Sequence, residues 1–303
     1  MNNQLICAFL ENNSLNYIQN EPMNRRTSFK VGGCADFFVT AKDGYEAKLV
    51  YDFCKHNNVP LTVVGKGSNI LVSDKGVEGI VLTLAELNDA VVNTDGTIVC
   101  SAGMSLTALC LTALNNNLSG LEFAYGIPGS VGGAVYMNAG AYGGEIKDVI
   151  VSATVLSEGE IKEIIASDMS LGYRTSVFKT NGDIILSVKF KLNVGKYEEI
   201  KAQMTDFMNR RREKQPLDFP SAGSTFKRPE GHFAGALIEQ SALKGHSIGG
   251  AQVSDKHAGF VINKDNATSR DIKTLIKHIQ KTVFENSGVM LEREVIYIGR
   301  EEN

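Results

Sequence analysis

The sequence predicts an α+β protein in which a strand-rich first two thirds gives way to a final third bounded by two long helices. Three observations lead there. Strand runs and single helices alternate up to about residue 195, and each change is marked by a Gly, Asp or Pro turn. Beyond Gly195 the pattern becomes long helix, loop-rich middle, long helix and a last strand. Between the two regimes lies "GIPGSVGGAVYMNAGAYGG", residues 126–144, with seven glycines in nineteen positions. With 303 residues, 43% of them hydrophobic, the chain can bury two or three cores, and the expected divisions are 1–84, 85–198 and 199–303.

The elements follow in order. Asp43 can cap a helix running to about Asn57, and Pro60 stops it. "LTVVGKGSNILVSD" reads as strand, glycine-rich turn, strand. Asp95-Gly96 is a hairpin turn, and a helix with apolar Leu106, Leu109, Leu111 and Leu114 starts from Ser105. A second hairpin turns on Glu158-Gly159, and "DIILSVKFKL" is a further strand. In the final third, Ile272, Leu275, Ile276, Ile279 and Val283 form one helical stripe, capped by Thr268 or Ser269 and ended by Gly288. "VMLEREVIYIG" is expected as the last strand.

Charge excludes some functions. A net charge of −3 gives no general attraction to nucleic acid or to an anionic membrane, so a small anionic ligand is the better expectation. No apolar run has transmembrane or leader character, which points to the cytoplasm. The five cysteines are scattered without a C-x-x-C pair and read as free thiols, and the five histidines lack metal spacing, so no metal is expected.

Each motif has a structural and a functional reading. In Gly65-Lys66-Gly67-Ser68-Asn69, consecutive unhindered N–H groups can form an anion nest, although the Walker spacing is absent; the alternative is a tight β-turn. Gly126, Gly129, Gly132, Gly133 and Gly140, with small Ser130, Ala134, Ala139 and Ala141, let backbone approach a flat or charged group. Interleaved Ile127, Pro128, Val131 and Val135 argue against a loose linker. Arg174 beside Tyr173 is a surface charge unless context changes that. On the helix after residue 196, Ile200, Met204, Phe207 and Met208 mark the buried face, and Arg211 falls on it. Such a guanidinium wants an anion, from either protein or ligand. Ser224 in "FPSAGSTFKRP" is by itself a turn serine, with no nucleophile elbow around it. Glu292 and Glu294 share a strand face with Met290, Ile296 and Ile298, so each lies either at a strand edge or in a site that raises its pKa.

"TSFKVGGCAD", "VVGKGSNILVSD", "GLEFAYGIPGSVGGAVYMNAGAYGGEI", "GYRTSVFK", "SAGSTFKRP", "ALIEQSALKGHSIGGAQVSDKHAGFVIN" and "LEREV" stand in the order found in the UDP-N-acetylenolpyruvoylglucosamine reductase family, which the chain resembles from about residue 22 to 300. The resemblance implies a vanillyl-alcohol-oxidase-type (PCMH-type) FAD-binding fold of two α+β subdomains, 1–84 and 85–198, followed by a substrate-binding domain, 199–303. It implies non-covalent FAD held by Gly65, Lys66, Gly67, Ser68, Asn69 and Ile70 and by Gly126, Ile127, Pro128, Gly129, Ser130, Gly132, Gly133, Ala134, Asn138, Gly140 and Ala141. The implied reaction is NADPH-dependent reduction of a nucleotide-sugar enolpyruvyl ether, an early step of peptidoglycan precursor synthesis. Ser224 matches the family's proton donor, and Arg174 and Glu294 match the groups that stabilise the charged intermediate.

The short interval after "GYRTSVFK" resembles the type II branch, in which Arg211 and Lys214 are expected at the substrate phosphates and Tyr173 beside the substrate. No nucleic acid, membrane or obligate protein partner is implied. Two positions depart from the family pattern: Ile296 stands where an arginine is common, and Ala242 where glycine is usual. The rival readings are another oxidoreductase on the same flavin fold, such as a hydroxy-acid or carbohydrate oxidase, and a non-enzymatic nucleotide-binding protein.

Overall fold

The computed structural model describes residues 3–301. Contacts divide the chain into two compact units, each assembled from three stretches rather than from consecutive domains. The first comprises Met1–Ile18, Phe37–Lys66 and Gly79–Arg211; the second comprises Gln19–Asp36, Gly67–Glu78 and Arg212–Asn303. The long helix Tyr197–Lys214 therefore begins in the first unit. Its Ile200 and Met204 join that unit's core, which is why the division by contacts falls at Arg211 and not near 198.

Two sheets organise the first unit. In one, residues 37–40 of the strand Cys34–Thr40, residues 79–83 of Val77–Thr83 and the strand Leu61–Val64 lie in that order, the last two parallel with Leu61 opposite Ile80. Parallel neighbours need a connection that brings the chain back to the same end, and residues 65–76, which include the short strand Ile70–Val72, make it without a helix. Asp43 caps the helix Gly44–Asn57 by accepting from Glu46 N–H, as expected. The other sheet is antiparallel, in the order Glu160–Ile165, Ile150–Ser157, Ile184–Lys191, Thr97–Ser101, Ala90–Val92. Both expected hairpins lie in it, turning at Asp95-Gly96 and Glu158-Gly159.

Helix Leu106–Asn115 starts at Ser105, whose side chain accepts from Ala108 N–H. Its buried stripe is Leu106, Leu109, Cys110, Ala113 and Leu114, and Leu111 is exposed. At 100° per residue, Leu111 lies about 140° from Leu106, outside the stripe that the other leucines share.

The second unit has its own core, in which Ile272, Leu275, Ile276, Ile279 and Val283 of the helix Ser269–Ser287 pack with Phe29, Val31, Leu71 and Ile238. Thr268 caps this helix and Asp271 completes the capping box, while Gly288, at φ +71°, ends it. The regular part of the last strand is shorter than expected. Only Ile296–Ile298 pairs regularly, parallel to Ile70–Val72. Upstream, Leu291 and Val295 are buried and Met290 is 62% exposed, so the face that Met290 shares with Glu292 is turned outward there. A period of two fits either face equally, and long-range contacts choose between them. Glu292 is consequently exposed, and Met290 does not form an apolar wall beside Glu294.

All five cysteines are free; Cys54 and Cys100 are buried, which pushes each thiol up to about 12. No described helix is long and apolar enough to cross a membrane.

Candidate active site

In the first unit the glycine-rich stretch meets the protein's own backbone at several points. Ser130 caps the short helix Val131–Tyr136 by accepting from Gly133 N–H at 3.3 Å. Gly65 abuts the Ser130 hydroxyl so closely that a Cβ there would collide with it. Gly132 donates to Ala102 O at 2.8 Å, and a Cβ on it would lie 3.0 Å from that of Ala102. A Cβ on Gly140 would come 2.7 Å from Gly144 O, and one on Gly126, at φ +82°, would come 2.7 Å from Met208 Cε. At these positions the missing side chains are already required by neighbouring chain, which adds a second cause to the ligand approach expected from sequence.

The donor set nevertheless fits a bound diphosphate. In the first unit, none of the described residues accepts a hydrogen bond from the main-chain N–H groups of Gly65 and Lys66, nor from those of Gly129 and Ser130. Backbone donors left by the fold itself suit an anionic group. Asn138 behaves differently. It is fully buried, its Nδ2 donates to Glu145 Oε2 at 2.6 Å and Gly172 O at 2.9 Å, and its Oδ1 accepts from Lys147 N–H at 2.9 Å. Its side-chain amide is thus engaged with the protein.

Arg174 occupies a tight turn in which Gly172 and Thr175 exchange backbone hydrogen bonds of 3.1 and 3.3 Å. Its φ is +53°, a conformation that costs an L-residue about 1–2 kcal/mol. The guanidinium Nη2 donates to Gly140 O at 3.1 Å, and its carbon lies 5.2 Å from the centre of the exposed Tyr173 ring. Arg211 is turned inward, as its helical phase predicts, and is 7% exposed. It lies 6.0 Å over the Tyr142 ring, which stacks on Phe207 at 4.5 Å. Burial pulls the Arg211 guanidinium below its ordinary pKa, with Tyr142 opposing the shift. Lys214, a turn later and in the second unit, is exposed.

In the second unit, Thr225 organises the segments that carry Ser224 and Glu294. It is completely buried; its N–H donates to Gly259 O at 2.9 Å, its carbonyl accepts from Glu294 N–H at 2.8 Å, and its hydroxyl accepts from Val261 N–H at 2.9 Å. Ser224 is exposed on the adjoining position, and Glu294 is half-buried one hydrogen bond away. Asn69 joins the same weave, its carbonyl accepting from Ile296 N–H at 3.0 Å and its Nδ2 donating to Glu294 O at 3.4 Å. Ser28 links the turn to Ser221, donating from its N–H to Gly67 O at 3.1 Å and from its hydroxyl to Ser221 O at 2.6 Å. Sequence reasoning missed Thr225 and Ser28 because a buried threonine and a loop serine carry no local signal, and it missed Tyr142 among the glycines.

Comparison with known proteins supplies the class. Residues 35–164 match the FAD binding domain model, and residues 215–298 match the model described as UDP-N-acetylenolpyruvoylglucosamine reductase, C-terminal domain. An FAD-binding fold of the PCMH type followed by this C-terminal domain defines a flavin-dependent oxidoreductase with FAD as cofactor. The chain is 50% identical over 289 residues to the UDP-N-acetylenolpyruvoylglucosamine reductase of Clostridium botulinum, covering 95% of this chain and 94% of the relative. It is also 50% identical over 281 residues to that of Clostridium novyi, covering 92% and 91%. The crystal structure of the reductase from Thermus caldophilus superposes with a TM-score of 0.80 at 32% identity, covering 94% of this chain and 98% of that one. The chain belongs to the UDP-N-acetylenolpyruvoylglucosamine reductase family.

Proposed function

We propose that the protein reduces the enolpyruvyl ether of UDP-N-acetylglucosamine to the lactyl ether of UDP-N-acetylmuramate, with NADPH as reductant, in cytoplasmic peptidoglycan precursor synthesis. The observation that carries this reading beyond family membership is the Thr225 node, which ties the Ser224 turn to Glu294. The main-chain donors of Gly65, Lys66, Gly129 and Ser130 would hold the diphosphate of a non-covalently bound FAD, which would supply hydride transfer from NADPH to the terminal vinyl carbon.

The chain's own residues manage the charge and the proton. As the double bond takes up hydride at its terminal carbon, its electron pair moves to the adjacent carbon and into the carboxylate. Arg174 opposes that charge through its guanidinium, and Glu294, in its protonated form, donates a hydrogen bond to the same carboxylate; one such preorganised donor contributes about 10²–10³ in rate. The Ser224 hydroxyl then protonates the adjacent carbon, completing the C–H bond, and its alkoxide regains a proton from water, to which the exposed turn gives access. Arg211 and Lys214 bind the UDP phosphates, and Tyr173 lies beside the substrate.

An anaerobic titration tests the reading. NADPH should bleach the flavin, and the enolpyruvyl nucleotide should restore its colour. Bleaching without recovery would point to a different acceptor, and a chain that stays colourless after reconstitution with FAD would overturn the flavin assignment itself.

A further inference from the structure

Lys179 has no part in the reading above, yet its ammonium is directed at the backbone of Arg174. Its Nζ donates to Arg174 O at 3.0 Å and lies 5.9 Å from the centre of the Tyr136 ring. The carbonyl it holds belongs to a residue with φ +53°, so it is turned away from the direction an ordinary β or α residue would give it. A charge-assisted hydrogen bond to that oxygen favours the unusual conformation over its relaxed alternatives.

The ammonium is itself well anchored. Lys179 is the second residue of the short helix Phe178–Asn181, whose Phe178 is buried in the first core, and Val177 N–H donates to Met169 O at 2.8 Å. Ser176 Oγ donates to Tyr136 O at 2.7 Å, fixing the turn to the residue whose ring the ammonium faces. On the opposite side, buried Asn138 holds Gly172 O at 2.9 Å, and Gly140 O receives the guanidinium at 3.1 Å. The turn is thus gripped at its start by Asn138, at its centre by Lys179 and at the side chain by the glycine-rich stretch.

We propose that Lys179 is a positioning residue for Arg174, holding the left-handed turn so that the guanidinium meets the charge developing on the substrate carboxylate. The inference rests on the role assigned to Arg174 above. Lys179 acts through Arg174 and makes no contribution to the flavin's reduction by NADPH.

The two half-reactions, followed by rapid mixing, separate the possibilities. Lys179→Met should be reduced by NADPH at the unaltered rate and be reoxidised by the enolpyruvyl nucleotide about 10²-fold more slowly, the loss typical of an ångström-scale misplacement. Lys179→Arg, which keeps a charged donor, should recover most of that rate. The double variant Lys179→Met/Arg174→Ala should be no slower than Arg174→Ala alone, because a positioning residue has nothing left to position. Unaltered reoxidation in Lys179→Met, or a multiplicative loss in the double variant, would overturn the proposal.

Failure of the underlying reading looks different: Arg174→Ala would then reoxidise normally. A readout independent of activity covers that case. Amide exchange at Gly172 and Thr175, whose N–H groups bond across the turn, should accelerate in Lys179→Met and not in Lys179→Arg. Equal protection in both variants would refute the clamp whatever Arg174 does.

Discussion

Ala242→Gly should make the protein more stable, and the size of the gain can be worked from one helix end. Helix Ala234–Gln240 stops in a double hydrogen-bond motif: Ala242 N–H donates to Glu239 O at 3.0 Å and Leu243 N–H to Ile238 O at 3.3 Å. Buried Leu243 packs in the same core as Leu237 and Ile238, the apolar contact that accompanies such an ending. The motif requires a left-handed residue at its hinge, and that residue is Ala242, at φ +56°. An alanine in this position therefore puts strain into the turn. The Cβ clash costs about 1–2 kcal/mol in this region. Glycine removes that cost but gives back about 0.4–1 kcal/mol through its freer unfolded chain. The expected net gain is about 0.5–1 kcal/mol, or roughly 1–3 °C in the melting midpoint of a chain of this size. Thermal and urea unfolding of the FAD-loaded protein measure it, with Ala242→Val, whose branched side chain fits the conformation worse, as the opposite control. A midpoint unchanged or lowered in Ala242→Gly, or a valine variant as stable as the parent, would show that the turn is not strained as argued.

Arg211→Ala should raise the Michaelis constant for the nucleotide substrate about ten- to a hundredfold, the worth of a charge-assisted hydrogen bond in a desolvated setting, while flavin content stays constant; unchanged steady-state constants would remove Arg211 from the phosphate site. Thr225→Val keeps the shape but leaves Val261 N–H buried without its acceptor, so unfolding should come about 1–3 kcal/mol earlier in denaturant, and a silent variant would refute the node. His257 supplies a pH dependence. Burial holds its imidazole below the ordinary 6.5, and its Nδ1 accepts from Gly259 N–H at 3.1 Å, which only an unprotonated nitrogen can do. Below pH 6.5 the unfolded chain binds the proton more readily than the folded one, so His257 makes stability fall as pH drops through 6.5 toward the depressed folded value. His257→Gln should flatten the melting midpoint over that window, and identical pH profiles would exclude the effect.

Much of the fold was legible in the chain because its causes are local. Asp43, Ser105 and Thr268 each cap the helix they precede, since a side-chain acceptor and the N–H it serves lie three residues apart. The stripe through Ile272, Leu275, Ile276, Ile279 and Val283 and the inward phase of Arg211 follow from helical period alone. The failures share the opposite cause. Leu111 looked like part of a leucine face, but a small alanine and a cysteine fill that face instead. The side taken by Met290 and Glu292 stayed open in the sequence because alternation has no preferred side until a partner covers one. Nothing nearby in sequence reveals that Glu145, Lys147 and Gly172 occupy the Asn138 amide.

The sequence by itself determined most element types, their caps and turns, and the ordered motifs that mark the family. Tertiary structure decided the discontinuous division of the chain, the packing that several glycines serve, the left-handed strain at Arg174 and Ala242, and the Thr225 node joining residues about seventy apart. Caps and periods arise from interactions within a few residues and can be read along the chain. A buried threonine's partners and a glycine's nearest neighbour depend on which distant segments pack together, and no local pattern encodes that choice.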